Sequence, residues 1–466
     1  MNKFSIEKIK GIGFSGLSVQ ISEDNNFDLL RLVEMFPRKY PFLLESSSRG
    51  NNHNRNSIVF FKPEITLIKE CKDSNFLNKF NQLWEKNNVY QEKMVVNNKE
   101  IPFYGGWFIY LGYEIATEVE KKLVIPKSPY SLPDAFAARV NSSIIYDHID
   151  KTLIFTSDKT ECNSHFEEML DDLSKLDKKK LQKESSGSIK IFSKGTSTEH
   201  QNQVRSCINY IYEGEIFQAN LSRLWRFKIE NKLSDTDIYR QLREKNPSPF
   251  AGLVKFNTSS IISSSPERLV SIKGEHLQTR PIAGTRPRGR SGLLDIELTK
   301  ELINSDKEKA EHLMLVDLER NDISKICEPG TVKVDEMMTI ETYAHVHHIV
   351  SNISGKKKKN ILPGDIIKSV FPGGTITGCP KVRCMEILGE LEKEGRGPYT
   401  GSFGYISHNG NMDLNILIRT ILKEKDDLFF RAGGGIVADS IPLNETLETE
   451  AKANGMLKAV GSFKNG

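Results

Sequence analysis

The chain has 466 residues, of which 38% are hydrophobic, and this suffices for one large domain or two of ordinary size. The formal net charge is only +4, a balance that argues against a nucleic-acid-binding protein. No stretch approaches the roughly 20 apolar residues of a membrane span, and the scattered charges of residues 1–16 are unlike a secretory signal peptide. The six cysteines form no CxxC pair, so we expect a reduced, cytoplasmic protein without a disulfide framework.

The first region, residues 1–165, alternates short strand-like runs with turns. The apolar runs at 57–68 and 141–157 predict strands, and the aromatic, glycine-rich segment FYGGWFIYLGYE lies between them at 103–114. From 166 to 200 the composition changes to an acidic and lysine-rich helical pattern, followed by serine- and glycine-rich sequence. We interpret residues 166–200 as a linker.

The second region, residues 201–462, mixes helical and strand-like patterns. A helical pattern occupies 201–214, strand-like segments follow it, and one long helical pattern covers 295–324. More strands are expected near 401–437, before a last helix over about 444–461. These elements predict an α+β protein with many strands in both regions.

Two pairs of glutamates have the spacing of one helix face. Glu308 and Glu311 lie three residues apart in one helical pattern, and Glu445 and Glu448 repeat this spacing in the last one. Carboxylate oxygens are the ligands that Mg²⁺ prefers, and the ion is often bridged to an anionic substrate. Taken alone, however, such pairs more often mark a solvated helix face.

Other single residues are candidates for acid–base chemistry. Glu267 follows a proline at the start of a predicted strand, where it is either a proton donor to a leaving oxygen or a strand-edge charge. The strand pattern around HVHH sends His345 and His347 to one face and His348 to the other, as an acid–base or a structural histidine. No spacing of histidines and cysteines supports a zinc site.

Glycine-rich segments predict places that receive an anion. The segment 371–388 has the pattern of a glycine-rich turn entering a helix, whose free N–H groups attract anions, although it lacks the order of a P-loop. The segment 430–440 offers a second glycine cradle, and Arg419 offers a guanidinium to a carboxylate. Together with the acids, these features indicate a small, multiply carboxylated substrate bound through Mg²⁺.

The ordered set of motifs resembles one family. SPE, PIAGTRPRG, AEHLMLVDLERND, HHIVS, FPGGTITGCPK, RGPYTG, NILIRT, GGGIVADS and ExxE are similar to the motifs of the chorismate-binding enzymes. That family includes anthranilate synthase component I, aminodeoxychorismate synthase component I, and the isochorismate and salicylate synthases. The resemblance is dense over 200–462, and YPFLLESS at 40–47 extends it towards the N-terminus. It implies an α+β fold in which large antiparallel sheets form a sandwich-like core with surrounding helices.

The resemblance also implies a role for individual residues. Glu267 matches the general acid that helps expel the C4 hydroxyl of chorismate, His348 the histidine at the reacting ring, and Thr375 an active-site threonine. The Mg²⁺ carboxylates are matched by Glu308, Glu311, Glu445 and Glu448. The positions that hold the substrate carboxylates are matched by Tyr399, Arg419, Lys452 and the backbone of Gly433, Gly434 and Gly435.

Two positions separate the subfamilies. Gln218 stands at a position where the isochorismate and salicylate synthases have a lysine, which activates water for attack at C2. Glutamine cannot act as this base, so the resemblance favours ammonia as the nucleophile. Ala283 is the third residue of the presumed active-site loop 281–289. Many aminodeoxychorismate synthases have a lysine there that attacks C2 covalently, whereas anthranilate synthases have alanine and add ammonia directly at C2.

Several other segments are more similar to aminodeoxychorismate synthase, namely SPERLV, NPSPFAGLV, QANLSR, FPGGTITG, CEPGTV and VHHIVS. The LLES segment that binds tryptophan in feedback-inhibited enzymes is present around Ser46, but the small residues Ala251 and Gly252 offer an indole less surface. We therefore predict amination of chorismate to 4-amino-4-deoxychorismate, for folate synthesis. Anthranilate synthesis for the tryptophan pathway and a non-catalytic chorismate or tryptophan sensor are the alternatives.

The ammonia source is also indicated by the sequence. The chain has no GxCxG segment of the kind that carries the nucleophile of a glutamine amidotransferase. Ammonia must then come from solution or from a separate glutaminase subunit, and free NH₃ is scarce at neutral pH. We expect a glutamine amidotransferase partner, and neither nucleic acid nor a membrane among the partners.

Overall fold

The protein is described by a computed structural model that covers residues 6–21, 27–47, 55–69, 75–87, 92–159, 163–176, 188–229, 233–343, 346–460 and 462–463. Helices are numbered in chain order as α1 (Leu30–Met35), α2 (Phe76–Asn87), α3 (Ala116–Val119), α4 (Asn163–Leu176), α5 (Ser197–Tyr212), α6 (Asp235–Lys245), α7 (Gly292–Asn304), α8 (Asp306–Ser324), α9 (Pro363–Val370), α10 (Lys381–Glu392) and α11 (Pro442–Val460).

The strands are numbered in the same way. They are β1 (Ile6–Gly11), β2 (Phe14–Gln20), β3 (Phe42–Glu45), β4 (Asn56–Phe61), β5 (Glu64–Ile68), β6 (Val95–Val96), β7 (Lys99–Glu100), β8 (Gly106–Leu111), β9 (Ala135–Val140), β10 (Ser142–Asp147), β11 (Thr152–Ser157), β12 (Ser188–Lys194) and β13 (Gln218–Ile229). The second half contributes β14 (Phe250–Phe256), β15 (Ser259–Ser265), β16 (Arg268–Lys273), β17 (His276–Thr279), β18 (Ile282–Pro287), β19 (Lys333–Thr342), β20 (Val346–Lys356), β21 (Gly378–Cys379), β22 (Ser402–Ser407), β23 (Met412–Asn415), β24 (Thr420–Glu424), β25 (Asp427–Ile436) and β26 (Ser462–Phe463).

Nearly all strands belong to two large sheets. The first sheet has the order β1-β2-β11-β10-β4-β3-β14-β15-β24-β25-β13-β12-β26, with β21 paired to β13. The second has the order β18-β20-β17-β16-β23-β22-β8-β9-β5, with β19 paired to β20. The strand pairs of the described residues are antiparallel, apart from the parallel pair of β12 and β26.

The two sheets pack face to face. The position of β8 between a sheet and a helix explains why its sequence is an unbroken apolar run. Successive side chains of a strand point to opposite faces. Phe108 and Tyr110 point into the sandwich, where Phe108 stacks on Phe42 of the first sheet at 4.3 Å between ring centres. Trp107 points away and meets Phe80 of α2 edge-on at 5.5 Å. Both faces of β8 are therefore buried.

Helices cover the outer faces of both sheets. Apolar side chains of α1, α4, α6 and α11 pack on the first sheet, and those of α2, α8 and α9 pack on the second. The layers are thus helix, sheet, sheet and helix, which confirms the predicted α+β sandwich. Among the described residues, no helix combines the length and the apolar composition needed to cross a bilayer.

The two regions separated in the sequence analysis share both sheets. Strands from 1–165 and from 201–462 form adjacent blocks in each sheet, which meet at the pair β3–β14 in the first sheet and at β22–β8 in the second. The stretch 166–200, interpreted as a linker, holds most of α4, the strand β12 and the start of α5. The single long helix expected over 295–324 is wrong, because α7 and α8 are separate helices. Ser305 divides them with extended backbone, and its side chain accepts a hydrogen bond from the N–H of Glu308 as the cap of α8.

Candidate active site

Two crossovers between the sheets meet at the candidate site. One places Glu267 between β15 and β16, and the other ends in Arg419, between β23 and β24. The N–H of Ile416 donates to the carbonyl of Glu267 at 3.0 Å, and the N–H of Ser264 donates to the carbonyl of Arg419 at 3.1 Å. Arg419 has a φ of 50°, which is uncommon for a long side chain. The crossovers thus fix the acid and the guanidinium as neighbours.

Glu267 is a buried acid, with only 4% of its surface exposed. The hydroxyl of Thr375 donates a hydrogen bond of 2.8 Å to its Oε1. Burial raises the pKa of Glu267 to about 7, while hydrogen bonds from Thr375 and the backbone of Ile282 and the charge of Arg419 lower it. A carboxyl with this pKa is partly protonated at neutral pH, as a general acid requires.

The turn that carries Thr375 confirms the predicted glycine-rich turn before a helix. A 3₁₀ turn spans Gly374–Ile376, and α10 begins shortly after it. A Cβ on Gly374 would lie 2.7 Å from the side chain of Leu318, so a larger residue would displace the turn. The amide of Asn220 donates to the carbonyl of Thr375 at 3.3 Å. The turn therefore holds Thr375 against Glu267.

The segment that contains Ala283 was expected to be a loop, and this expectation is wrong. Residues 282–287 form β18, whose hydrogen-bonding partner is β20. Gly284 provides the reason, because it has a φ of 62° at a bulge in the register and lets a Pro- and Gly-rich segment join the ladder. Ala283 is 6% exposed and lies opposite Ile349. Its methyl group offers no nucleophile in this strand.

His348 lies on β20 and is 3% exposed. Its ring packs edge-on against Tyr343 at 5.9 Å between ring centres. Burial, together with the charge of Arg419, lowers the pKa of His348 to about 4. The imidazole is therefore neutral at physiological pH and is placed electrostatically beside Arg419, and hence near Glu267. His345 lies outside the described residues.

His347 has a different role from His348. Its Nε2 lies 2.9 Å from the carboxylate of Asp295 in α7, and its Nδ1 lies 2.9 Å from the hydroxyl of Thr342. Arg288 pairs with the same carboxylate at 2.9 Å. His347 thus ties α7 to β20, and the predicted alternation of the two described histidines is confirmed.

The glycine cradle predicted at 433–435 lies in one of the strands expected near 401–437. These residues belong to β25 and pair with β13. Their small size is required, because a Cβ on Gly433 would lie 2.8 Å from the hydroxyl of Tyr399. A Cβ on Gly435 would lie 2.2 Å from Nε2 of Gln218. The strand thereby brings backbone close to two predicted site residues.

The predicted metal carboxylates of α11 face the same strand. A Cβ on Gly434 would lie 3.5 Å from Oε2 of Glu445 and 3.7 Å from Oε1 of Glu448. Burial raises the pKa of Glu445, and the charge of Glu448 raises it further. Lys452 lies at the end of this face, where its Nζ donates to the carbonyl of Gly433 at 2.8 Å and pairs with Glu448 at 2.8 Å.

The carboxylates of α8 approach from the other side. The amide of Gln218 donates to Oε1 of Glu311 at 2.6 Å. Burial raises the pKa of Glu311, the bond from Gln218 lowers it, and the charges of Glu308 and Glu448 raise it. This electrostatic coupling joins the two helices, so both predicted pairs contribute to one acidic site.

The donor set fits Mg²⁺ in its chemistry, since all four groups are carboxylates that repel one another. Each carboxylate has a protein partner in this conformation, and no group of three histidine, cysteine, aspartate or glutamate side chains in the described ranges is arranged to hold a metal ion. Convergence on one ion requires each side chain either to leave its partner or to offer the ion its second oxygen, as Glu311 can while Oε1 keeps the bond to Gln218. The pairs are Glu308 with Arg286 at 3.2 Å, Glu311 with Gln218 at 2.6 Å, Glu445 with Ser440 at 2.7 Å and Glu448 with Lys452 at 2.8 Å.

Tyr399 and Arg419 complete the predicted substrate contacts. Tyr399 is 7% exposed, and its ring lies 5.6 Å from the guanidinium of Arg396. Burial raises the pKa of Tyr399 to about 12, so its hydroxyl remains a hydrogen-bond donor at neutral pH. The side chain of Arg419 makes no hydrogen bond or ion pair with the residues that the structure describes. It is therefore available to an anion.

Ser46 lies apart from these residues, at the end of β3. β3 pairs with β14, where Ala251 lies opposite Glu45. Ser46 is 9% exposed, and its Oγ has no hydrogen-bond partner among the described residues. A Cβ on Gly252 would lie 2.8 Å from the ring of Phe403, which shows that this small residue is required by sheet packing. The predicted regulatory role of Ser46 stays a prediction.

One buried acid was missed by the sequence analysis. Glu319 lies on α8, is 7% exposed and interacts electrostatically with Glu267. It follows Glu308 by 11 residues, about three helical turns, so the helical period would have placed both on one face.

Comparison with known proteins gives a consistent result. A model of the family described as chorismate binding enzyme matches residues 40–458. An anthranilate synthase component I-like protein of Synechocystis sp. is 42% identical over 366 residues, which are 78% of this chain and 74% of the relative. Aminodeoxychorismate synthase component 1 of Bacillus subtilis is 38% identical over 438 residues, which are 91% and 92% of the two chains.

The fold comparison agrees with these relatives. The crystal structure of anthranilate synthase component I from Streptococcus pneumoniae matches with a TM-score of 0.74 and 31% sequence identity. The match covers 86% of this chain and 92% of that chain. Relatives with both names, anthranilate and aminodeoxychorismate synthase, therefore match most of the chain.

Proposed function

The chain belongs to the chorismate binding enzyme family, and from this premise we propose that it aminates chorismate with ammonia in a reaction that depends on Mg²⁺. One observation carries the proposal. Glu267 is a buried acid beside Arg419, and burial raises its pKa to about 7. Such a group can protonate the leaving C4 hydroxyl of chorismate at neutral pH. A protein that only senses a ligand has no use for a proton donor at this place.

The neighbouring groups hold the substrate in this proposal. The guanidinium of Arg419 offers a two-pronged donor to one carboxylate, and the hydroxyl of Tyr399, which lies against Gly433 of β25, offers a donor to the other. Thr375 keeps the Glu267 carboxyl in one orientation through its 2.8 Å hydrogen bond. His348 is neutral and can accept or donate a hydrogen bond at the reacting ring.

The metal is assigned to the acidic site between α8 and α11. Glu308, Glu311, Glu445 and Glu448 would hold Mg²⁺, which supplies positive charge to a substrate carboxylate. The protein residues supply the remaining chemistry. Glu267 moves the proton, and Arg419, Tyr399 and Lys452 orient the anion.

The product that we propose is 4-amino-4-deoxychorismate. This choice rests on the segments that resemble aminodeoxychorismate synthase, since the identity with aminodeoxychorismate synthase component 1 is 38% over 91% of the chain and that with an anthranilate synthase component 1 is 38% over 99%. Anthranilate is the second candidate, because the buried residue Ala283 places a methyl group in β18 where the covalent lysine would stand. A site without the covalent lysine has to direct nitrogen to C4 by other means.

Ammonia is proposed to come from a separate glutamine amidotransferase. The term component in the names of the relatives supports an assembly of more than one chain. Turnover with ammonium salts, but with glutamine only after a glutaminase subunit is added, is the expected behaviour. Turnover of glutamine by this chain alone would refute this part of the proposal.

A product assay tests the function. Purified protein receives chorismate, Mg²⁺ and an ammonium salt at mildly alkaline pH, and products are followed by fluorescence and mass. We expect a non-fluorescent amino product that retains the enolpyruvyl group and that a lyase converts to 4-aminobenzoate. Direct appearance of anthranilate would establish the second candidate instead.

Two variants sharpen this assay. Glu267→Gln should lose turnover by about 10²-fold or more while retaining chorismate binding in calorimetry. Ala283→Lys introduces an amine into β18 and should increase the proportion of product aminated at C4. Binding without any turnover of the wild type would favour the sensor alternative.

A further inference from the structure

A second buried carboxyl lies beneath the proposed acid, and the reaction as described does not use it. Glu319 on α8 is 7% exposed and its Oε2 is hydrogen-bonded to the hydroxyl of Thr279, the last residue of β17. Gly374 packs against Glu319, because a Cβ on Gly374 would lie 3.7 Å from Cγ of Glu319. Gly374 precedes Thr375, which is bonded to Glu267. Both acids therefore contact the same turn.

The contacts of Thr279 indicate where the proton lies. Its hydroxyl is 3.1 Å from the carbonyl of Leu269 and also in contact with Oε2 of Glu319. One hydroxyl has one hydrogen, so it cannot donate to both oxygens. Both contacts are hydrogen bonds only when Thr279 donates to Leu269 and a neutral Glu319 donates to Thr279. The geometry therefore favours a protonated Glu319.

The charges that face the two acids agree with this interpretation. Burial raises the pKa of Glu319 to about 8, the contact with Thr279 and the charge of Lys381 lower it, and the charges of Glu267 and Asp322 raise it. Lys381 of α10 is itself paired with Asp322 at 2.5 Å, so much of its charge is compensated. Arg419 is the cation that acts on Glu267.

We propose that Glu319 is a positioning residue that shares its proton with Glu267, so that the two buried acids keep one proton between them. This inference rests on the proposed function, because it assigns the second acid to the same reaction. With the pair holding one proton, Glu267 remains protonated in part of the molecules at a pH where it would be ionised alone. The pair thus extends the range of pH over which the acid is active.

The protons balance in the step in which ammonia attacks and the C4 hydroxyl leaves. The O–H bond of Glu267 breaks as its proton joins the leaving hydroxyl, which departs as water. The proton of Glu319 then passes to the Glu267 carboxylate, and the proton that the attacking ammonia loses restores Glu319. A cavity of about 10 Å³ lined by Glu319, Thr279 and Gly374 reaches the minimum volume for one water molecule on the Glu319 side of the turn.

Urea unfolding tests the pair without substrate. Wild type, Glu319→Gln, Glu267→Gln and the double variant are unfolded at pH 6 and pH 9. Folding must bury two like charges at pH 9, so each substitution should raise the urea midpoint more at pH 9 than at pH 6. The two single shifts at pH 9 should together exceed the shift of the double variant, because removing either acid relieves the same repulsion. Additive shifts would overturn the pairing.

Glu114 provides a matched control. It is a buried acid whose pKa is raised by burial to about 7, and its Oε1 accepts a hydrogen bond from the N–H of Gly397. Glu319 is not among the charges that shift the pKa of Glu114, and Glu114 is not among those that shift the pKa of Glu319. Glu114→Gln and Glu319→Gln should therefore be additive at pH 9. Equal non-additivity in both combinations would also overturn the pairing.

The pH profile tests the role in the reaction. The value of kcat/KM for chorismate is measured from pH 6 to 9 at constant free NH₃. In Glu319→Gln, the decline of kcat/KM at alkaline pH should begin at lower pH than in wild type. The ratio of kcat/KM in this variant to that in wild type should fall about three-fold between pH 6 and 8. In Glu319→Asp, the alkaline decline of kcat/KM should return most of the way to its position in wild type. Superposable profiles would overturn the inference. A wild type without turnover would refute the proposed function, and the unfolding test would still decide on the pair.

Discussion

Gln218 donates a hydrogen bond of 2.6 Å from its amide to Oε1 of Glu311. Gln218 is the residue that distinguishes enzymes using ammonia from enzymes using water in the sequence analysis. It is thereby in contact with Glu311, a proposed ligand of Mg²⁺. Oε1 of Gln218 is buried without a hydrogen-bond partner among the described residues. The nucleophile position and the acidic site are therefore parts of one hydrogen-bonded unit.

Gln218→Leu should weaken the proposed Mg²⁺ site. The amide bond lowers the pKa of Glu311 against the effect of burial, so its loss raises that pKa and favours the protonated form. A hydrogen bond to a charged group contributes about 1.5–3 kcal/mol, so we expect a loss of roughly ten-fold or more in Mg²⁺ affinity. Calorimetric titration at pH 6 and pH 8 measures it, with the larger loss expected at pH 6.

Gln203 is the matched control for this experiment. Its amide donates to the carbonyl of Leu391 at 2.8 Å, and no bond joins it to the four glutamates. Gln203→Leu should leave the Mg²⁺ titration within error of wild type. An unchanged affinity in Gln218→Leu would show that the contact with Glu311 does not influence the metal.

Thr375→Val should shift the pH profile upward. The Thr375 hydroxyl lowers the pKa of Glu267, so its removal leaves burial less opposed and raises this pKa above its value of about 7. A raised pKa keeps the acid protonated to higher pH, and the alkaline limb of kcat/KM moves with it. The loss of orientation should also reduce kcat by roughly ten-fold. Steady-state kinetics from pH 6 to 9 at constant NH₃ measures both effects.

Thr377 lies in the same turn and serves as control. Its hydroxyl donates to the carbonyl of Gly373 at 2.8 Å and does not contact Glu267. Thr377→Val should reduce the free energy of unfolding without shifting the alkaline decline of kcat/KM. A shift of equal size in both variants would mean that the turn, rather than the hydroxyl of Thr375, sets the profile.

Local pattern predicted the elements whose signals are local. The helical period placed Glu308 with Glu311 and Glu445 with Glu448, and the apolar runs at 57–68 and 141–157 predicted strands. Local sequence pattern does not predict which distant segments come together in the fold. The two crossovers bring Glu267 and Arg419 together across a separation of 152 residues, that is 419 − 267.

The wrong prediction of a loop has the same origin. Proline and glycine in 281–287 favour a loop locally, but β20 supplies a complete ladder and Gly284 absorbs the irregularity in a bulge. The three glycines of 433–435 lie in an expected strand, but the reason for their small size is also distant, because Tyr399 and Gln218 approach this strand. In both places, the cause lies in partners far along the chain.

Arg396→Met should strongly destabilise the fold. Arg396 is 2% exposed and pairs with the buried carboxylate of Glu392 at 2.7 Å. Removing Arg396 leaves the buried Glu392 carboxylate with only the weaker pair to Arg431 at 3.3 Å, so we expect a cost towards the lower end of the roughly 3–5 kcal/mol that breaking a buried pair takes from the free energy of unfolding. Urea unfolding at pH 7 measures this cost. The exposed pair of Lys175 and Asp171 is the control, and Lys175→Met should change the free energy by less than about 1 kcal/mol.

Ser46→Ala and Ser57→Ala should differ in stability although the residues are neighbours. Oγ of Ser46 is buried without a hydrogen-bond partner among the described residues, so its removal should leave the free energy of unfolding unchanged within about 0.5 kcal/mol or raise it. Oγ of Ser57 accepts from the N–H of Ser46 at 3.3 Å and lies 2.7 Å from Nε2 of His148, so its loss should cost about 1–2 kcal/mol.

Thermal unfolding with excess tryptophan then tests whether Ser46 has a regulatory ligand. A hydroxyl that is buried without a protein partner is available to a ligand, so a tryptophan site here should raise the Tm of wild type and lose this effect in Ser46→Ala. The small residues of β14 lead us to expect no shift in either protein. A shift in wild type that Ser46→Ala abolishes would contradict this expectation and would favour the feedback-regulated anthranilate branch of the family.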